Sequence, residues 1–401
     1  MAQLSSSERA VVERAEAEPM LDRVLDWAGI NSGSRNLGGL ERMADVLLDA
    51  FATLPGLIRL ERPSTVKSVD GAGRAIEIEH GRHLHLTVRP TAGIQLLFTG
   101  HMDTVYGMDH AFQDCRWLDD GRLNGPGVAD MKGGLAVMLA ALKGLETSHL
   151  ADRIGYEVVI NSDEEVGSLS SAELLKRAAT GKRAALTYEP AALPDGTLAG
   201  ARPGSGNFDF VVHGRSAHAG RNPEDGRNAI VAAAELALRL SMSKTPGLSI
   251  NPAKIDGGGP NNVVPDLAIL RVNLRPRTTD DQEIAARLIA KALDETVKQH
   301  DVHIEAHGGF GRPPKPLSEE AEILFKIVKE AGTDLGQTIA WQRSGGVCDG
   351  NNIAACGVPV VDTMGVRGGK IHSNDEFLII DSLKERAALS ALTVMRLGER
   401  A

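Results

Sequence analysis

The stretch Ile94-Gln95-Leu96-Leu97-Phe98-Thr99-Gly100-His101-Met102-Asp103-Thr104-Val105 decides how this chain is read. A short apolar run that stops at a histidine and an aspartate predicts a buried strand delivering polar side chains at its C-terminal end. Tyr156-Glu157-Val158-Val159-Ile160 repeats the pattern before a polar cluster, and Ala184 to Tyr188 repeats it again. Between them, Gly133 to Leu145 is rich in Ala, Leu and Met and predicts a buried helix. Upstream, residues 8–30 and 36–54 carry apolar positions at helical spacing. Strands alternating with helices, each strand ending in polar residues, predict an α/β sheet with its site at the strand ends.

The pattern changes after Arg202-Pro203-Gly204-Ser205-Gly206. Residues 208–213 and 267–274 read as strands, 228–240 and 281–299 as helices, and 302–306 as a last short strand. The order β-α-β-α-β predicts a small insert between glycine-proline hinges. Its far hinge is Gly308-Gly309-Phe310-Gly311-Arg312-Pro313-Pro314. We therefore expect a discontinuous, mixed-sheet α/β catalytic domain over 1–204 and 313–401, interrupted by an α+β domain over 205–312.

Composition narrows the function. The 401 residues carry 44 Lys and Arg against 53 Asp and Glu, a formal charge of −9. That acidic balance, with no basic block, argues against nucleic acid as a partner. Aromatic residues at 3% leave no base-stacking platform. No apolar run is long enough to cross a membrane, and MAQLSSSERAVVERAEAEPM is polar where a signal peptide needs an apolar segment. Cys115, Cys348 and Cys356 have no CxxC spacing, which predicts reduced thiols in a cytoplasmic protein.

Five segments offer metal-type ligands. His101 is followed two residues later by Asp103, so the imidazole can bind a cation while the carboxylate orients its other nitrogen. Asp130 lies in Gly125-Pro126-Gly127-Val128-Ala129-Asp130-Met131-Lys132-Gly133-Gly134, where flanking glycines let one carboxylate approach a cation. A phosphate-binding reading of that loop fails, because Asp130 stands where GxGxxG needs its third glycine. Glu164 and Glu165, in Asn161-Ser162-Asp163-Glu164-Glu165-Val166-Gly167, can point different ways, one to metal and one to water. Tyr188-Glu189-Pro190 and Lys370-Ile371-His372-Ser373-Asn374-Asp375-Glu376 complete the set. Two imidazoles and three carboxylates suit two zinc-like divalent ions with one carboxylate bridging.

In this order and spacing the five segments resemble the zinc-dependent family of metallopeptidases that holds aminoacylases, glutamate carboxypeptidases and acetylornithine deacetylases. The resemblance covers nearly the whole chain. It implies a zinc-peptidase catalytic domain carrying a ferredoxin-like lid and dimerisation domain, with two Zn2+ per chain, replaceable by Co2+ or Mn2+. It makes His101, Asp130 and Glu189 the ligands of one ion, and Asp130, Glu165 and His372 those of the other. It further implies Glu164 as general base, Asp103 as the partner of His101, and a cis peptide between Asp130 and Met131.

The insert resembles the same family. Gly214-Arg215-Ser216-Ala217-His218-Ala219-Gly220 is similar to a lid motif whose histidine meets the substrate carbonyl across a dimer interface. Asn262, within Gly257-Gly258-Gly259-Pro260-Asn261-Asn262-Val263-Val264-Pro265, and Arg275, in Leu274-Arg275-Pro276, resemble substrate-binding positions. Asn273 departs from the family, which usually has an acidic residue there. Gly365-Val366-Arg367-Gly368-Gly369 resembles a loop whose backbone meets a substrate carboxylate, at Gly368, while Arg367 reads as structural. Cys348 stands where Ser or Thr is usual, with no histidine partner to make it a nucleophile.

The expected activity is hydrolysis of the amide bond of a C-terminal, glutamate-like amino acid in small peptides or N-acyl amino acids, by a homodimer. The alternative is an N-acyl-amino-acid deacylase of the acetylornithine deacetylase or aminoacylase type. A non-catalytic relative that only binds such conjugates would have no need of Glu164 beside all five ligands.

Overall fold

A computed structural model describes residues 4–119 and 121–399. They form two compact units, one built from the chain up to Ser64, Glu79–Ala201 and the chain from Leu317, the other from Thr65–Ile78 and Arg202–Pro316.

The first unit is built on a six-stranded mixed sheet. Its order is Leu57–Glu61, His83–Val88, Ile154–Asn161, Ile94–His101, Ala184–Thr187 and Val360–Val361. The first two pairings are antiparallel, and the last four strands run parallel to one another. His101 is in register with Asn161, so the C-terminal ends of neighbouring strands emerge level. The helix Gly133–Leu145 is buried along almost its whole length. It shares a core with Val11 and Ala15 of Ser6–Glu16 and with Ala387, Leu392 and Met395 of Asp381–Glu399. The larger of these, Val11, Leu392 and Met395, each contribute roughly 1.5–3 kcal/mol on burial. The stretch 8–30 forms two helices, Ser6–Glu16 and Met20–Ala28, because Pro19 biases Glu18 away from helical backbone. Residues 36–54 give the helix Leu37–Phe51, whose first turn is capped by Asn36 on the Gly39 amide.

The second unit follows the order Ser205–His213, Ala229–Met242, Leu248–Gly257, Leu267–Pro276, Thr279–His300 and His303–Arg312. This is β-α-β-β-α-β, one strand more than the sequence pattern predicts. Leu248–Gly257 is an edge strand whose pairing with Leu267–Pro276 shifts between Pro252 and Lys254. A proline is tolerated at such an edge bulge and hides the strand from pattern reading. The last strand also runs beyond 306: Gly308 to Arg312, read as hinge, stay paired with Ser205–His213. Gly308 holds φ +87°, a left-handed conformation open to glycine. The hairpin Val66–Val69 and Ala75–Ile78 also belongs to this unit, with Val69 packed on Val211 and Ile269 of the sheet. Among the described residues, no helix is long and apolar enough to cross a membrane.

Candidate metal centre

The parallel strands of the first unit aim their ends at one place. His101 ends its own strand, Glu164 and Glu165 sit in a short turn just past Asn161, and Glu189 follows Thr187. Asp130 arrives from the loop before the buried helix, and its peptide to Met131 is cis. His372 comes from the turn between Gly368–Gly369 and Phe377–Ile379, at φ +61°.

The structure brings all five together with Glu164. Asp130 lies in the middle: its Oδ1 is 3.2 Å from His101 Nε2 and its Oδ2 is 3.2 Å from His372 Nε2. Glu165 Oε2 is 3.2 Å from the same His372 nitrogen, and Glu189 Oε2 is 3.8 Å from His101 Nε2. Ligand atoms of His101, Asp130 and Glu165 all lie within 4.8 Å of one another, as do those of His101, Glu164 and Glu189. Bonds of about 2.0–2.2 Å to a tetrahedral cation place neighbouring donors about 3.3–3.5 Å apart. These side chains therefore fit divalent metal without rearrangement of the backbone.

Asp103 is fully buried, and its position refines the expected pairing with His101. The nearer acceptor for His101 Nδ1 is the Asp103 backbone carbonyl at 2.9 Å, with the carboxylate at 3.5 Å. The carboxylate accepts the backbone amides of Glu164 at 3.1 Å and Glu165 at 3.2 Å, and the Ser34 hydroxyl at 2.7 Å. One residue thus orients an imidazole through its backbone and two glutamates through its side chain.

Glu376 is a functional position the sequence alone leaves without a role. Its buried carboxylate accepts amides from Gly127, Ala129 and Asp130 and the hydroxyl of Tyr106. Lys132, also buried, donates to the Ile30 carbonyl at 2.8 Å. Burial pushes its amine down to about 8.

Charge is crowded here. Burial first, and then the charge of Asp130, push the Glu165 carboxyl up to about 7, and the same two causes raise Glu376 to about 7. Hydrogen bonds to Asp130 and Glu165 carry the His372 imidazolium up to about 11. Burial would lower His101, but bonds to Asp103, Asp130 and Glu189 hold it well above its ordinary value. Burial would raise Asp130, yet the two imidazoles keep it well below the usual carboxylate range. A cluster that holds protons so firmly has more carboxylates than it can ionise without added positive charge.

In the second unit the two lid motifs meet. His218 bridges Val263, and the Ala219 amide donates to the Asn262 carbonyl at 2.9 Å. His218 is exposed, and its Nδ1 accepts the Gly220 and Arg221 amides. That leaves the neutral ring's proton on Nε2. Arg275 lies far from them along the strand Leu267–Pro276, about 26 Å from Leu267 at 3.3 Å per residue. Its Nε donates to Asn273 Oδ1 at 3.1 Å, so the amide that replaces the family's acid still orients the guanidinium. In the first unit, a Cβ on Gly368 would fall 2.2 Å from the Phe377 carbonyl oxygen, a packing reason for glycine there. Arg367 is tied to Glu385 and the Pro194 carbonyl, and Cys348 is buried at the start of the helix Asp349–Ala354.

Residues 97–396, which contain every one of these ligands, match the profile of peptidase family M20/M25/M40. The chain belongs to that family. As an M20 metallopeptidase it is a hydrolase acting on peptide or related amide bonds. It is 31% identical over 320 residues to carboxypeptidase G2 of Pseudomonas sp. (strain RS-16), covering 78% of this chain and 76% of that one. It is 27% identical over 379 residues to succinyl-diaminopimelate desuccinylase of Psychrobacter arcticus, covering 82% and 90%. Among solved structures, a tripeptidase from Staphylococcus aureus shares the M20 fold at TM-score 0.74 and 23% identity, over 97% of this chain and 99% of that one.

Proposed function

We propose that this M20 chain is a two-zinc carboxypeptidase that removes a C-terminal, glutamate-like amino acid from small peptides or N-acyl amino acids. The observation that carries the reading is Asp130, with each carboxylate oxygen 3.2 Å from a different imidazole. With that placement, His101, Asp130 and Glu189 would hold one ion, and Asp130, Glu165 and His372 would hold the other. When bound, the ions make water more acidic and polarise the scissile carbonyl, with Co2+ or Mn2+ able to stand in for zinc.

The chain's own groups do the rest. Glu164 takes a proton from the attacking water and delivers it to the leaving amine. Asp103, by holding the Glu164 amide, fixes where that carboxylate starts from. His218, protonated on Nε2, donates to the oxyanion that develops on the carbonyl. Asn262, beside it in the lid, adds a contact to substrate. Arg275 grips the substrate carboxylate with its planar fork, and backbone near Gly368 approaches the same group.

The second unit acts as lid and dimerisation domain, so that His218 and Asn262 serve the site of a partner subunit. The length of strand between Leu267 and Arg275 supports this, since a small substrate cannot reach both ends of it from one chain. The name of the Pseudomonas relative supports the carboxypeptidase reading, together with the likeness of the NSDEEVGS and GRSAHAG segments to the glutamate carboxypeptidase branch.

A second reading is an N-acyl-amino-acid deacylase, favoured by the desuccinylase relative that aligns over more of both chains. Parallel assays separate the two. Turnover of N-acyl-glutamates and not of N-acetyl-ornithine supports the carboxypeptidase, and the reverse preference overturns it.

A further inference from the structure

The turn that carries Glu164 and Glu165 is held at its middle by the Asp103 carboxylate, and its two ends meet on a second carboxylate from far along the chain. Ser168 Oγ donates to Asp349 Oδ1 at 2.5 Å, and Asn161 Nδ2 donates to Asp349 Oδ2 at 2.8 Å. All three side chains are buried. Asn161 Nδ2 also donates to Ser171 Oγ at 2.9 Å, just beyond the turn. Asp349 belongs to neither group of side chains whose ligand atoms converge at the metal centre. Whatever it does for that centre, it does through the turn.

The chemistry at each end is specific. A carboxylate accepts at both oxygens, whereas an amide of the same shape accepts at one. Asp349 opens the helix Asp349–Ala354, whose Ile353 packs with Leu174, Leu175 and Val360, so the carboxylate is presented from fixed backbone. Ser168 holds φ +56°, a left-handed conformation uncommon for residues other than glycine. Its amide donates to the Asp163 carbonyl at 2.7 Å. Such backbone persists where the surroundings hold it, and it gathers near functional sites. Glycine would adopt it freely, so what serine adds at this position is the hydroxyl that Asp349 receives.

We propose that Asp349 is a positioning residue for amide hydrolysis: by tying Asn161 to Ser168 it sets where the Glu164 carboxylate meets the attacking water. This rests on the reading of Glu164 as general base. A base must lie within about 2.6–3.2 Å of the atom whose proton it takes. Misplacement by about 1 Å, from a change away from the reacting atoms, can cost about 10²-fold. Glu165 would stay fixed by the ion it holds, so loss of Asp349 falls on turnover rather than on metal content.

The test is a double-mutant cycle on the full, zinc-loaded chain, with turnover measured on whichever of N-acetyl-glutamate and N-acetyl-ornithine the wild type hydrolyses. Asp349→Ala should lower kcat by about 10–100-fold, with KM and zinc per chain unchanged. Ser168→Gly, which suits the backbone and keeps the fold if Asp349→Ala does not, should lower kcat in the same direction. Added to Glu164→Ala, either change should cost less than about twofold more, because residues that act as a unit are not additive. A merely structural role would multiply the losses instead, and multiplied losses overturn the proposal. So does wild-type kcat in both Asp349→Ala and Ser168→Gly. Full turnover in Glu164→Ala alone is a different failure: it overturns the general-base reading, and this proposal with it.

Discussion

The carboxylate of Glu376 accepts the backbone amide of Asp130 at 3.0 Å across 246 positions of sequence. It holds Ala129 and Gly127 by the same means, so a side chain near the end of the polypeptide shapes the loop that presents the central metal ligand. Glu376→Ala leaves three buried amides unanswered and the Tyr106 hydroxyl with only the Ser373 carbonyl. Stability should fall by about 2–4 kcal/mol, and metal affinity with it. Chemical denaturation alongside metal titration checks both, and unchanged values in both would show that the loop holds its own shape.

Glu164→Ala should keep its metal and lose about 10²–10⁴-fold in turnover, the usual reach of a general base. Glu165→Ala should lose metal as well, because its carboxylate faces His372. Steady-state kinetics with elemental analysis of both variants separates the roles. Full turnover in Glu164→Ala would remove it from the mechanism.

Metal uptake should release protons. In the metal-free protein at pH 7, His372, raised to about 11, is protonated, and so in part is Glu165, raised to about 7. A cation binds the deprotonated forms, so its affinity should climb as pH rises from 6 toward 8. Proton release on adding zinc to weakly buffered, chelator-stripped protein measures this directly. Affinity that is flat over that range would contradict it.

Mixed dimers should recover activity. Co-expressed Glu164→Ala and His218→Ala chains would form hybrids with one intact site, if His218 reaches a partner's substrate. Tagged purification of the hybrid should yield a fraction of wild-type turnover, while each homodimer stays low. Hybrids as inactive as the homodimers would confine His218 to its own chain.

The sequence reads well where a short apolar run stops at a ligand. His101, Glu164 with Glu165, and Glu189 each follow such a run, and the alternation of strands and helices puts the expected site at the strand ends. It reads poorly where local signals conflict with tertiary need. Pro252 conceals an edge strand that tolerates it, and Gly308-Gly309 look like a hinge while continuing a ladder. Partners distant in the chain leave no local trace. Nothing near Asp103 reveals that its side chain holds two glutamate amides while its backbone holds His101. Glu376 stands inside a segment already noted for His372, yet its contact with the Asp130 loop is invisible until the chain is folded.

Lys132 and its bond to Ile30 bear on where this protein can be cut. The region that matches the family profile begins at residue 97, which invites excision of everything before it. Such a fragment would strip the buried ammonium of its acceptor and the Asp103 carboxylate of Ser34. It would also remove two strands from one side of the central sheet. The leading residues are thus structural members of the catalytic unit, although they supply none of its ligands, and trimming for engineering has to begin elsewhere.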